Sequence, residues 1–150
     1  MKLSRISLCV LAWLGAATAP AFAALGGSPQ TVQADQARMK GAVRVSTSGA
    51  IAVHEISTDY GESVREYAGS DGRVFAVAWN GPVNPDLKQL LGTYYGQYQR
   101  AGARAHGNHR HLAIRQPDLV FENSGRMRAF AGRAWVPSLL PANFSTADIR

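Results

Sequence analysis

The sequence predicts an α+β fold, in which one main amphipathic helix packs on an antiparallel sheet of about five or six strands built from two hairpins. Two turn signals, each followed by an apolar run that ends in Ala-Trp, indicate the hairpins. An apolar stripe at helical spacing lies between them. A small β-barrel with the helix as a plug or lid is the alternative architecture.

The first hairpin is predicted at residues 69–72, GSDG, because an Asp-Gly pair tolerates the positive φ of a tight turn. A strand over residues 73–79, RVFAVAW, follows it. Both alternating sets of side chains in this strand are apolar, so we expect a central strand with one face beneath the helix. Shorter β-rich runs precede the hairpin at residues 43–46, 51–57 and 64–68.

The helix is predicted over residues 85–100. Asn84 can cap its first amides, and Pro85 and Asp86 suit its first turn. Leucine and tyrosine side chains form one apolar stripe: Leu87, Leu90, Leu91, Tyr94 and Tyr98. The predicted core consists of Val74, Phe75, Val77, Trp79, Leu87, Leu90, Leu91, Tyr94, Val120 and Phe130.

Gly92 and Gly96 lie within this helix but away from its apolar stripe. Each glycine costs a helix about 1 kcal/mol relative to alanine. A partner that packs closely over the bare backbone would explain them, and they are therefore candidate binding residues. A poorly optimised exposed face is the alternative.

The second hairpin is predicted from a strand at residues 119–122, a tight turn at residues 123–125 and a returning strand at residues 126–135. Gly132 in the returning strand is a candidate β-bulge. A short strand at residues 111–115 precedes this hairpin.

Arg126 and Arg128 are predicted to share one face of the returning strand. A pair of guanidinium groups can hold a carboxylate or a phosphate, so both are candidate ligand-binding residues. Charge that protects an exposed strand edge from pairing is the alternative explanation. Arg133 falls on the opposite face unless Gly132 bulges.

The densest group of chemically active side chains is His106, His109 and His111, in the string HGNHRH. Neutral imidazoles bind zinc, copper or nickel, and histidine also titrates near neutral pH. The three are a weak metal-site candidate or a pH-sensing loop, and a solvated loop is the alternative. No cofactor is predicted, and His54 is interpreted as a surface or packed residue.

Motifs for the common catalytic chemistries are missing from the sequence. It contains no nucleophile elbow, phosphate loop, dinucleotide fingerprint or zincin helix. The sequence predicts no catalytic residue, and an enzymatic role is the less favoured interpretation.

The first 23 residues are predicted to be a signal peptide that is cleaved after Ala23. They contain a positive start with Lys2 and Arg5, an apolar run of 12 residues, and the sequence Ala-Phe-Ala. This run is shorter than the roughly 20 residues of a membrane span, so we expect a periplasmic or secreted chain without a transmembrane segment. Residues 24–42 are small and polar and are predicted to be a flexible lead to one α+β domain at residues 43–150.

Removal of Lys2 and Arg5 lowers the formal charge from +6 to +4. The remaining positive charge is dispersed, which favours an envelope protein or an anionic surface as partner over nucleic acid. The only cysteine, Cys9, leaves with the signal peptide, so no disulfide or thiolate site is expected in the mature chain.

Four stretches together resemble a known protein family: residues 24–27 (ALGG), 64–82 (VREYAGSDGRVFAVAWNGP), 85–98 (PDLKQLLGTYYGQY) and 125–141 (GRMRAFAGRAWVPSLLP). These stretches are similar to small exported proteobacterial proteins known as domain-of-unknown-function family 2844. The resemblance implies an exported bacterial protein with a single domain. It implies no activity, ligand or catalytic residue.

Three functions compete at this point. The first is a non-enzymatic periplasmic or secreted module that binds an envelope partner. The second is a small envelope hydrolase, and the third is a metal-binding or pH-sensing protein that uses residues 106–111. The first is favoured because the predicted lead suits a tether and because the sheet edges and the glycine face of the helix suit docking.

Overall fold

A computed structural model describes residues 25–28, 40–104 and 111–150. It has an α+β fold in which a helical stretch packs on one antiparallel sheet. The strands are β1 (Ala42–Ser48), β2 (Ile51–Ser57), β3 (Ser63–Ala68), β4 (Val74–Gly81), β5 (His111–Gln116), β6 (Leu119–Arg126) and β7 (Ala129–Trp135).

The sheet has seven strands in the order β1-β2-β3-β4-β7-β6-β5, so the prediction of five or six strands is wrong. Two meanders, β1 to β4 and β5 to β7, join where β4 pairs with β7. β1 pairs with β2 along its whole length, from Ala42 opposite Ser57 to Ser48 opposite Ile51. Its side chains are almost all exposed. β1 extends the predicted run at residues 43–46 at both ends, and the seven predicted β-rich runs all contribute to one sheet.

The helical stretch lies between β4 and β5 and is interrupted once. Helix α1 (Leu87–Leu91) leads into a 3-10 turn (Gly92–Tyr94) and then into helix α2 (Tyr95–Arg104). Asp86, and not Asn84, is the N-cap, because its carboxylate accepts hydrogen bonds from the amides of Lys88 and Gln89. Gly92 has a φ of 49°, a left-handed conformation that favours glycine and ends α1.

One core lies between the helices and the sheet. Its buried side chains come from both meanders and from α1: Val64, Val74, Val77, Trp79, Leu90, Leu91, Ile114, Leu119, Phe121, Ala134 and Val136. The predicted stripe faces this core, since Leu87, Tyr94 and Tyr98 pack against it and the rings of Tyr98 and Phe121 lie 4.7 Å apart.

A second core lies on the opposite face of the sheet. Tyr67, Phe75, Ala76, Ala78, Trp135 and Ile149 are buried there. The segment after β7 covers this face, and the ring of its Phe144 lies 4.9 Å from that of Phe75. β4 is therefore buried on both faces, as its apolar alternation predicts.

Most of the predicted core is confirmed. Val74, Phe75, Val77, Trp79, Leu90 and Leu91 are buried. Leu87, Tyr94 and Val120 are half-buried against the two cores. Phe130 is half-buried and belongs to neither core, because it lies near the end of the sheet, opposite Gly125 and Gly81.

Residues 25–28 add a short extended segment to the helix-side core. Leu25 is 1% exposed, and its amide donates a hydrogen bond of 3.0 Å to the carbonyl of Leu90. Gly26 and Gly27 exchange backbone hydrogen bonds with Val74. These four residues, which fall in the predicted flexible lead, are docked. The rest of the lead before Lys40 and the predicted signal peptide lie outside the described residues.

The second hairpin turns later than predicted. β6 continues to Arg126, which is paired with Ala129, so the turn consists of Met127 and Arg128 and does not lie at residues 123–125. Gly132 is in continuous register with both neighbouring strands and forms no bulge. The register shift in the sheet lies between Tyr67 and Ala68 in β3.

Candidate ligand-binding site at one end of the sheet

A cleft of about 790 Å³ crosses one end of the sheet, and we call it the end cleft. It runs from the β2–β3 turn, across the end of β4 and the β6–β7 hairpin, to the start of β5. Its lining residues are Gly61, Asn80, Gly81, Pro82, His111, Ser124, Gly125, Arg126, Arg128, Ala129, Phe130 and Ala131.

The register of four strands brings these residues together. Asn80 in β4 lies opposite Ala131 in β7, which lies opposite Ser124 in β6, which lies opposite His111 in β5. These pairings form one row, and the hairpin tip extends beyond it. Positions far apart in the sequence therefore line one cleft.

Arg126 and Arg128 supply the positive charge of the end cleft. Both side chains are exposed, and neither forms an ion pair within the described part of the chain. The prediction that both lie on one face of the returning strand is wrong, because Arg126 ends β6 and Arg128 lies in the turn. β7 is also an interior strand between β4 and β6, so these arginines do not protect a β7 edge.

Arg128 has a φ of 60°, a conformation that a residue with a Cβ adopts at a cost of about 1 kcal/mol. Glycine would fit this position of the turn without that cost. Strained backbone positions are often found at functional sites. The arginine at this position is therefore a candidate for a functional role.

A smaller cavity of about 480 Å³ adjoins the end cleft and shares Asn80, His111, Ser124 and Ala131 with it. Two of its charged side chains, Glu122 and Arg133, bind each other. Glu122 accepts hydrogen bonds from Nε and Nη2 of Arg133 at 2.9 and 2.7 Å, and from Nη2 of Arg115 at 3.1 Å. The hydrogen bonds from Arg133 lower the pKa of the Glu122 carboxyl, which makes it a poor proton acceptor.

Arg133 has a structural role on this face. Its Nη1 donates to the main-chain oxygens of Thr146 and Ile149 at 3.0 and 3.4 Å, and its guanidinium lies 5.3 Å from the centre of the Trp135 ring. It thus links the segment after β7 to the sheet.

A third cavity, of about 780 Å³, lies between residues 25–27 and the helices, and we call it the glycine groove. Gly92 and Gly96 both line it. Gly92 is explained by its backbone conformation. A Cβ on Gly96 would meet only Nη1 of Arg100, at 3.4 Å, so close packing within the described chain does not require a glycine there.

Of the three histidines in the predicted metal-binding or pH-sensing loop, the described residues include one. His111 is exposed at the start of β5, and His106 and His109 lie outside the described residues. Within residues 25–28, 40–104 and 111–150, no three His, Cys, Asp or Glu side chains are grouped as metal ligands.

His54 lies opposite Glu66 in the β2–β3 pair, and Glu66 is buried. Burial lowers the pKa of His54. Neither residue lines any of the three cavities above. In the described chain, no helix has the length and apolar character to cross a bilayer.

A family model described as "Protein of unknown function (DUF2844)" matches residues 21–149. The chain belongs to this family. The match spans all seven strands and both helices, and it confirms the resemblance found in the four sequence stretches. Comparisons with curated proteins and with solved structures give no significant match.

Two arginines and one histidine of the end cleft were predicted as candidate site residues from the sequence. The backbone walls of the cleft and the docking of Leu25 were not predicted. In the sequence, Asn80 and Pro82 indicate only that a strand ends there. That they face the β6–β7 hairpin follows from the β4–β7 pairing, which local periodicity does not reveal. Leu25, a single apolar residue in a polar segment, gave no periodic signal at all.

Proposed function

We propose that this DUF2844 protein is an exported, non-enzymatic binding module of the bacterial envelope, and that its end cleft recognises an anionic group. The observation that carries the proposal is the pair of exposed guanidinium groups, Arg126 and Arg128, at the mouth of a cleft. Arginine binds carboxylate and phosphate oxygens through charge-assisted hydrogen bonds.

Two arginines in the neighbouring strands β5 and β7 are contrasting cases. Arg133 and Arg115 both bind Glu122, and so contribute to the fold. Arg126 and Arg128 have no such carboxylate partner in the described chain, and Arg128 keeps its charge in a strained conformation. A ligand that supplies the missing negative charge accounts for both features.

The hydrolase alternative has less support. The carboxylate that shares a cavity with a histidine, Glu122, is held ionised by two arginines and is not suited to accept a proton. Export and envelope location depend on the predicted signal peptide and on the resemblance to exported proteins.

Calorimetric titration with tripolyphosphate at low ionic strength tests the proposal. Arg126→Gln combined with Arg128→Gly should weaken binding at least about fivefold, because each charge-assisted contact contributes about 1 kcal/mol or more. Arg128→Gly also removes the left-handed strain, so the variant should keep or gain stability. The weaker binding then cannot be ascribed to unfolding.

Arg44→Gln is the matched control, because Arg44 is an exposed arginine on the far edge strand β1. This control should bind like the wild type. Equal affinity of the double variant and the wild type would refute the proposed role of the end cleft.

A further inference from the structure

Exposed apolar side chains are concentrated at the end of the sheet that carries the end cleft. In the described chain, four large apolar residues are exposed: Val45, Tyr60, Val83 and Met127. Tyr60 lies in the β2–β3 turn, Val83 lies two residues beyond β4, and Met127 lies in the β6–β7 turn. The sheet register places these three segments at one end. Single exposed apolar residues are ordinary, but three gathered at one end are not.

The β6–β7 hairpin tip is the extreme case. Met127 is 91% exposed, and it lies between Arg126 and Arg128. The Arg126–Ala129 pair closes the turn directly behind it, so the tip has only two residues. The tip therefore combines a flexible apolar side chain with two flanking cations.

The opposite end of the sheet has a different character. Its turns, at residues 49–50, 69–73 and 117–118, contain none of the four exposed large apolar residues. Asp71 and Arg73 there form an ion pair with each other at 4.0 Å, and Asp118 is exposed. The grouping of exposed large apolar residues is thus specific to one end.

We propose that the protein docks end-on to an anionic lipid surface, with Met127, Tyr60 and Val83 entering the headgroup region and Arg126 and Arg128 binding lipid phosphates. This proposal rests on the proposed function, because it identifies the anionic group as part of a lipid. Cations that flank exposed apolar residues are the combination by which proteins bind a membrane surface without spanning it.

The local charges are compatible with this orientation. Asp59 and Glu62 are the carboxylates of the β2–β3 turn. Glu62 is buried, and burial raises the pKa of its carboxyl, whereas Asp59 is exposed. One exposed carboxylate therefore opposes two exposed guanidinium groups, and an anionic surface is attracted.

Co-sedimentation with vesicles tests this inference. The protein is produced from the full-length gene, and every variant carries the same N-terminus, so differences between variants report on the sheet end. Vesicles of phosphatidylcholine with about 30% phosphatidylglycerol are compared with pure phosphatidylcholine. The wild type should bind the anionic vesicles, and higher salt should weaken binding by screening the arginines.

Two kinds of variant separate the contribution of apolar insertion to vesicle binding from the contribution of positive charge. Met127→Gln keeps the shape of the side chain and both arginines, and it should weaken vesicle binding about fivefold or more. Arg128→Gly should also weaken it, by about fivefold, as one interfacial cation contributes about that factor. Val45→Thr and Arg44→Gln on β1 are the matched controls and should bind like the wild type.

Each outcome decides the question. Weaker vesicle binding by both tip variants, with unchanged controls, supports lipid docking. Binding that is unaffected by Met127→Gln overturns insertion. Arginine-dependent binding of tripolyphosphate without binding of anionic vesicles overturns the lipid proposal and leaves the proposed function standing. If the wild type binds neither tripolyphosphate nor anionic vesicles, both the lipid proposal and the proposed function are refuted.

Discussion

The indole ring of Trp79 occupies the space that a side chain at Gly132 would fill. A Cβ atom built on Gly132 would lie 2.5 Å from Cε2 of Trp79 and 2.9 Å from the carbonyl oxygen of Glu122. Trp79 and Gly132 are direct cross-strand neighbours in the β4–β7 pair that joins the two meanders. The glycine thus allows the ring to cross the junction and reach Phe121, whose ring lies 5.5 Å away.

Gly132→Ala should therefore destabilise the protein by about 1–3 kcal/mol, because neither the buried ring nor the backbone oxygen can move away cheaply. Denaturant unfolding measures the change. Ala131→Ser, at the adjacent exposed position, should stay within about 0.5 kcal/mol of the wild type. Equal stability of Gly132→Ala and the wild type would contradict the placement of Trp79.

The two glycines of the helical stretch should respond to alanine with opposite signs. Gly92→Ala places a Cβ in a left-handed conformation and should destabilise by about 1 kcal/mol. Gly96→Ala meets only the end of a flexible arginine and should stabilise the helix by about 0.5–1 kcal/mol. Thermal melts of the two variants distinguish these effects, and a loss of stability in Gly96→Ala would show that something else requires the bare backbone.

Leu25→Ala should cost about 2–5 kcal/mol, because it empties a fully buried site in the helix-side core. Val45→Ala is the control, since Val45 is 58% exposed and should change stability by less than about 0.5 kcal/mol. Similar unfolding curves for the two variants would mean that residues 25–28 are not docked.

Local patterns predicted the parts of the fold that have strong local causes. The two-sided apolar strand β4, the leucine-tyrosine stripe and the first hairpin turn were all predicted from side-chain periodicity or turn chemistry. All seven strands coincide with β-rich runs of the sequence, but local patterns do not show how many runs join one sheet. The second turn was misplaced because Arg128 adopts a conformation that usually marks glycine. Neither feature has a periodic signal in the sequence.

The candidate site was predicted only as separate parts. Arg126 and Arg128 were singled out for their chemistry, and His111 for its place in a histidine string. Their shared cleft with Asn80 and Pro82 depends on long-range pairing of β4 with β7. Such pairing is decided by the packing of two meanders and not by any segment alone.

Glu122→Gln should destabilise the protein at neutral pH, and the difference from the wild type should shrink in acid. The hydrogen bonds from Arg133 lower the folded-state pKa of Glu122 below its ordinary value. Its contribution to the free energy of unfolding is therefore present above the unfolded-state pKa and is lost as the pH falls through the folded-state pKa. Urea unfolding at pH 7 and near about pH 3 measures both limits.

Two arginine variants check the origin of this effect. Arg133→Gln should cost more stability than Arg115→Gln, because the Arg115 side chain is 76% exposed and that of Arg133 is 33% exposed. A difference between Glu122→Gln and the wild type that grows as the pH falls would contradict the assigned pKa direction.

Amide chemical-shift mapping with tripolyphosphate tests the role of the end cleft most directly. The largest shifts should fall at His111 and at residues 124–131, with smaller ones at residues 80–81, and Arg126→Gln with Arg128→Gly should reduce them at the same tripolyphosphate concentration. Shifts centred on the glycine groove, or on the opposite turns at residues 69–73 and 117–118, would contradict this role.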